Sequence, residues 1–140
     1  MADRPILFSA PMVRALLAGT KTQTRRVIKP QPLIRPEFHE PASSGQPFWC
    51  VFNGDEIAYR VPVRYAVGDR LWVRETWTAR MTHGWTIADA RSRMFDQEIL
   101  FRADETESID GWWPSIFLPR EFSRLTLIVT EVRVQRLQEI

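Results

Sequence analysis

The chain has 140 residues, 44% of them hydrophobic and 26% charged, which suits one globular domain with a real core and leaves little room for two. A single cysteine, Cys50, excludes an internal disulfide, no stretch reaches the apolar length that spans a bilayer, and the N-terminus lacks an apolar signal core, so a soluble cytoplasmic protein is expected. The net charge of +2 hides an asymmetry, because residues 1–36 hold seven Lys or Arg against Asp3 alone, a local +6 that leaves −4 for the rest. Such a split suggests one basic face for a polyanion on an otherwise ordinary surface.

Pro5-Ile6-Leu7-Phe8 predicts a short first strand. Ser9 or Ala10 then leads into Pro11, a residue suited to the first turn of a helix, and Val13, Leu16 and Leu17 share one helical face. Gly19 supplies the stop. Just beyond it, Lys21, Arg25 and Arg26 stand in a run with three threonines and no carboxylate. The helix dipole favours cations past a C-terminus, so a solvated basic loop accounts for some of this charge. The rest calls for neutralisation by an anion, phosphate first, or by a glutamate from elsewhere in the fold.

Pro30, Pro32, Pro36, Pro41 and Pro47, with Ser43, Ser44 and Gly45, predict a long surface loop over 30–47. Phe48 to Phe52, Asn53-Gly54 and Glu56 to Val61 then predict a hairpin, since Asn-Gly accepts the positive φ angles of a type I′ turn. Cys50 lies inside that apolar run and reads as a buried, inert thiol. Val67-Gly68-Asp69-Arg70 is a turn feeding a strand from Leu71 to Trp77, whose period of two puts Leu71, Val73, Glu75 and Trp77 on one face. A carboxylate on such a stripe either rims a cavity or is paired, and a cation of the 21–26 run is the expected partner. The plainer alternative is an edge-strand glutamate in water, with Trp72 turned inward.

Further along, a short helix through Ala88 to Phe95, a strand at Ile99-Leu100-Phe101 and an acidic loop from Asp104 to Asp110 are expected. Trp112-Trp113 opens a proline-broken apolar run to Arg120, where the tryptophans either stack on bases or anchor the core. Leu125 to Val134 alternates cleanly and is the longest predicted strand. Together these elements suggest an α+β chain, a small and mainly β barrel with a few flanking helices, one of them before the basic motif. His39 and His83 lie far from any zinc-type spacing, and neither a Gly-Lys-Ser/Thr phosphate loop nor a Gly-x-Ser-x-Gly elbow occurs, so a site without metal or cofactor is expected.

Gly19-x-Lys21 with Arg26 five residues beyond the lysine resembles the signature of the ASCH domain family, the activating-signal cointegrator homology domains. Pro5 to Ser9, Gly68-Asp69-x-Leu71-Trp72-Val73-Arg74-Glu75-x-Trp77 and Pro114-Ser115-Ile116-Phe117-x-Pro119-Arg120 are similar to phage and prophage members. The likeness covers residues 1–140 as a single domain, with departures from the minimal members at 30–47 and 80–110.

It implies a PUA-like β-barrel with helices near a cleft, and binding of RNA, nucleosides or nucleotides. Some small members hydrolyse the acetyl amide of N4-acetylcytidine, and others are linked to RNA cleavage. Lys21 and Thr24 match motif positions of the amidohydrolase members and Arg26 matches the motif arginine, whereas Glu75 is assigned from its own strand pattern and the phage-type block. The catalytic candidates are therefore Lys21 as base, Thr24 as nucleophile and Glu75 to orient the lysine or protonate the leaving amine. The ligand contacts expected are Gly19, Lys21, Arg25, Arg26, Arg74 and Trp77. Positions 21 and 24 share a face in a helical turn and point apart in an extended one. A non-catalytic RNA- or nucleotide-binding module is the leading expectation, a metal-independent hydrolase the alternative and a phage assembly adaptor the third.

Overall fold

The computed structural model describes residues 1–29, 37–39, 48–53, 55–62, 64–79, 86–92, 99–105, 109, 111–135 and 139. In chain order its elements are β1 (Asp3–Leu7), α1 (Ala10–Leu17), β2 (Glu37–His39), β3 (Phe48–Asn53), β4 (Glu56–Pro62), β5 (Arg70–Arg74), β6 (Trp77–Ala79), α2 (Ile87–Ser92), β7 (Ile99–Phe101), 3₁₀ turns at Ser115–Phe117 and Arg120–Phe122, and β8 (Thr126–Ile128). The mixed α+β content matches the sequence reading. The strands form open sheets of three, three and two, and among the described residues none closes into the expected barrel. Two compact units result, one of residues 2–24 and 70–128, the other of Met1, 25–69 and 129–140.

In the first unit β5 is the central strand, parallel to β1 and antiparallel to β8. β1 starts at Asp3, earlier than Pro5, because Arg70 and Leu71 supply partners for Asp3 and Arg4. Pro5 has no N–H to donate, which an edge strand tolerates and a central one does not. Ile6, Phe8, Leu71 and Val73 are buried on one face of the sheet, as strand alternation requires.

The predicted strand from Leu71 to Trp77 is two strands. Pairing to β1 ends at Arg74, whose carbonyl accepts from Phe8 N–H at 3.0 Å, whereas Thr76 O accepts from Arg102 N–H and Trp77 exchanges backbone bonds with Trp113. Partners change at Glu75, so the chain passes from one sheet to the next there. Trp77, Ala79, Ala90 and Leu118 form a buried cluster flanked by Ile87, Ile99, Phe101, Trp113 and Phe122. Trp113 meets Trp77 edge-on at 4.7 Å, which makes it the core anchor of the tryptophan pair.

β8 is three residues long, not the longest strand, because its partner β5 begins only at Arg70. Past Ile128 the chain meets a turn instead, where Gly68 N–H donates to Val129 O and Val129 N–H donates to Asp69 O. Helix α2 starts at Ile87 with a reciprocal cap, Thr86 N–H donating to the Asp89 carboxylate at 2.7 Å and Asp89 N–H donating to Thr86 Oγ1 at 3.2 Å. The segment 93–98, which held the end of the predicted helix, lies outside the described residues.

In the second unit β3 and β4 make the predicted hairpin, with Asn53 opposite Glu56. Asn53 thus belongs to the strand rather than the turn, and Gly54 lies outside the described residues. Cys50 is fully buried and unbridged. The proline-rich stretch is not loop throughout, because Glu37–His39 pairs with Cys50, Trp49 and Phe48 across the antiparallel edge of β3. The remainder of 30–47 lies outside the described residues.

Candidate functional site

Helix α1 ends on a built device. Gly19 takes φ 71°, its N–H donates to Leu16 O at 3.0 Å, and Thr20 N–H reaches back to Ala15 O at 2.9 Å, the paired bonds of a Schellman motif. Thr20 Oγ1 and Lys21 N–H also donate to Ala15 O, so the exit direction of the chain is fixed through Lys21. Gly19 acts here through backbone freedom. Beyond it the backbone is neither helix nor strand, and residues 22–27, including Thr24, Arg25 and Arg26, are exposed.

The Lys21 ammonium donates to Gln23 O at 2.7 Å and lies 5.6 Å from the centre of the buried Phe8 ring. It makes no hydrogen bond to Thr24 or to Glu75. A lysine held on a backbone carbonyl must release that bond before it serves any other partner.

Glu75 is 1% exposed, at the joint between β5 and β6, and Leu71, Val73 and Trp77 on either side of it are buried as well. Its partner is Arg124 rather than a cation of the 21–26 run. Arg124 Nε donates to one carboxylate oxygen at 2.8 Å and Nη2 to the other at 2.9 Å, a two-pronged pair that satisfies both oxygens. Arg124 Nη1 continues to Asp104, and the guanidinium carbon lies 4.2 Å from the centre of the Phe101 ring. The bonds to Glu75 hold the guanidinium further above its ordinary pKa, against the opposing effect of its partial burial.

This cluster ties the β5–β6 joint to the segment entering β8, which is also anchored by Ser123 Oγ donating to Val73 O at 2.8 Å. Sequence reasoning found the carboxylate and missed its arginine. Arg124 immediately precedes the alternating segment, but only the antiparallel return of that segment beside Leu71 and Val73 makes it the partner.

Of the other expected contacts, Trp77 is fully buried, with an indole N–H that finds no acceptor. Arg74 turns to the opposite side of β5 from Val73, where its guanidinium carbon sits 4.6 Å from the centre of the Trp72 ring. Lys21 thus stands at a helix exit, Glu75 in the interior paired with Arg124, and Arg74 on the outer sheet face. No group of three or more His, Cys, Asp or Glu among the described residues is arranged to hold a metal ion, and no described helix is long and apolar enough to cross a membrane. No protein-family model, curated protein or solved structure matches the chain.

Proposed function

We propose that the chain binds RNA or a nucleotide through its basic segment and does not turn it over. The carrying observation is that residues 22–27, which follow the fixed end of α1 in the chain, are exposed on non-helical backbone and include Arg25 and Arg26. A phosphate ester is the ligand this chemistry selects, because guanidinium N–H groups match its oxygens and the local excess of +6 attracts a polyanion. The ASCH resemblance supplies the same expectation from motif residues, together with a PUA-like barrel as the finer version of the α+β fold.

The hydrolase alternative needs Lys21 beside the Thr24 hydroxyl and a carboxylate open to reactants. Lys21 instead holds a carbonyl, and both Glu75 oxygens are taken by Arg124. Those contacts favour gripping over chemistry.

Titration of labelled single-stranded RNA at two salt concentrations tests the reading, with an acetate-release assay on N4-acetylcytidine alongside. Affinity should fall as salt rises, through release of phosphate-bound counterions. No binding at low salt removes the proposal, and acetate release that depends on Thr24 replaces it with the hydrolase.

A further inference from the structure

The outer face of the β1-β5-β8 sheet carries a cationic cluster that the basic segment does not account for. Strand register puts Leu7 of β1, Arg70, Trp72 and Arg74 of β5, and Ile128 of β8 on one side, opposite the buried Ile6, Leu71 and Val73. Leu7 and Ile128 are 46% and 67% exposed, so this face is open at both edges. Trp72, at its centre, is only 7% exposed.

Cations shelter it. The guanidinium carbons of Arg74 and Arg120 lie 4.6 and 5.7 Å from the centre of the Trp72 ring. A guanidinium laid on an indole keeps edge N–H groups for a second partner and has already lost much of its side-chain freedom, which lowers the ordering cost of binding an anion. Arg120 gives its Nε to Asp3 at 3.2 Å. Neither Arg70 nor Arg74 has a carboxylate partner among the described residues, and the buried Arg74 Nε has no acceptor. Among the described residues, three arginines thus share this face with one aspartate, an excess of positive charge that attracts oxyanions.

We propose that this face docks the phosphodiester strand of a single-stranded RNA, with Arg74 and Arg120 bonding phosphate oxygens above Trp72 and Arg70 meeting the neighbouring phosphate. The cations form a row, not a cup, because Arg70 lies two residues along β5 from Trp72, a displacement of roughly 7 Å. A row suits a polymer that carries a charge at every repeat better than it suits one free phosphate. The proposal rests on the nucleic-acid reading above and assigns it a second surface.

The test is fluorescence anisotropy of a fluorescein-labelled oligouridylate across a salt series, with wild type, the double variant Arg70→Gln with Arg74→Gln, Arg74→Lys, and Lys21→Ala. The double variant should bind about tenfold more weakly at low salt and lose about 1.4 from the slope of log K against log salt, at about 0.7 per phosphate contact on a single strand. Arg74→Lys should keep the slope and lose about threefold in affinity, since it retains the charge but not the fork, and it supplies the readout if the double variant unfolds. If Lys21→Ala weakens binding while the double variant and Arg74→Lys bind as wild type does, the sheet-face proposal is overturned and the basic-segment reading stands. If the wild type does not bind the oligonucleotide, both fall. If polyglutamate at equal charge concentration binds wild type but not the double variant while the oligouridylate binds both equally, the face is an acidic-protein surface and the RNA assignment is overturned.

Discussion

Replacing Arg124 with glutamine should destabilise the protein more than any neutralisation of its partner. Glu75 is 1% exposed and both of its oxygens accept from Arg124, at 2.8 and 2.9 Å, so the variant strands a carboxylate in the interior. A buried pair broken this way costs about 3–5 kcal/mol. The reverse change is gentler, because the Arg124 side chain is 26% exposed and in Glu75→Gln keeps Asp104 and the Phe101 face. With water and a second carboxylate available, the loss should be about 1–2 kcal/mol. Removing both charges relieves the stranding, so the double variant should be more stable than Arg124→Gln alone, with a coupling of about 3 kcal/mol, larger than the Glu75→Gln loss. Urea unfolding followed by far-UV circular dichroism supplies the three values, compared at constant m. Equal losses for the two single variants, or a double variant no better than Arg124→Gln, would refute the claim that Glu75 depends on Arg124 for its place in the core.

Gly19→Ala should cost about 1–2 kcal/mol although no atom lies within 4 Å of the added methyl group, because φ 71° is the whole penalty; Gly19→Asn should cost less, and urea midpoints in the opposite order would contradict this. Asp89 is held below its ordinary value of 3.8 by the Thr86 hydroxyl and backbone bonds, so its contribution to the α2 cap is complete above that value and lost as pH falls through the lower folded one. An NMR titration of the Thr86 amide should follow that loss, and a shift that does not change on acidification would rule it out. Thr24→Ala should leave RNA affinity within twofold of wild type, about 0.4 kcal/mol, because the exposed hydroxyl bonds to neither Lys21 nor Glu75; a tenfold loss by anisotropy would place the threonine in the binding surface.

Much of the fold was legible where a local rule and its tertiary partner coincide. Gly19 reads as a helix stop because the left-handed backbone angle it permits is what the two returning bonds demand. Leu71 and Val73 read as one buried face of β5 because alternation is local, and the continuation to Trp77 fails only where the chain changes sheets at Glu75. The errors lie where a distant partner decides. Leu125 to Val134 has strand composition throughout, yet its ladder ends where β5 ends, at a turn that periodicity in this segment cannot reveal. Glu37–His39 sits among prolines and is recruited by the edge of β3. Glu75 announced its need for a cation, and the sequence held many; only the return of the chain beside β5 selects Arg124. The role of Arg74 was blurred for the same reason, since its neighbour Trp72 acquires Arg120 from a turn far along the chain.

The central position of β5 bears on how this molecule is made. Asp3 pairs with Arg70, so β1 has no neighbour until the middle of the chain has left the ribosome, and β8 arrives later still. At typical synthesis rates β1 waits roughly 3–13 s for β5. Closing a loop of that length costs about 4 kcal/mol of chain entropy before the first rung is formed, which makes the sheet a late and slow event compared with the β3–β4 hairpin. During that interval Pro5 gives a passing strand one fewer donor to capture, and Asp3 and Arg4 add charge at its start. The same features that make β1 an acceptable edge in the finished protein therefore protect the nascent chain from pairing with another copy of itself.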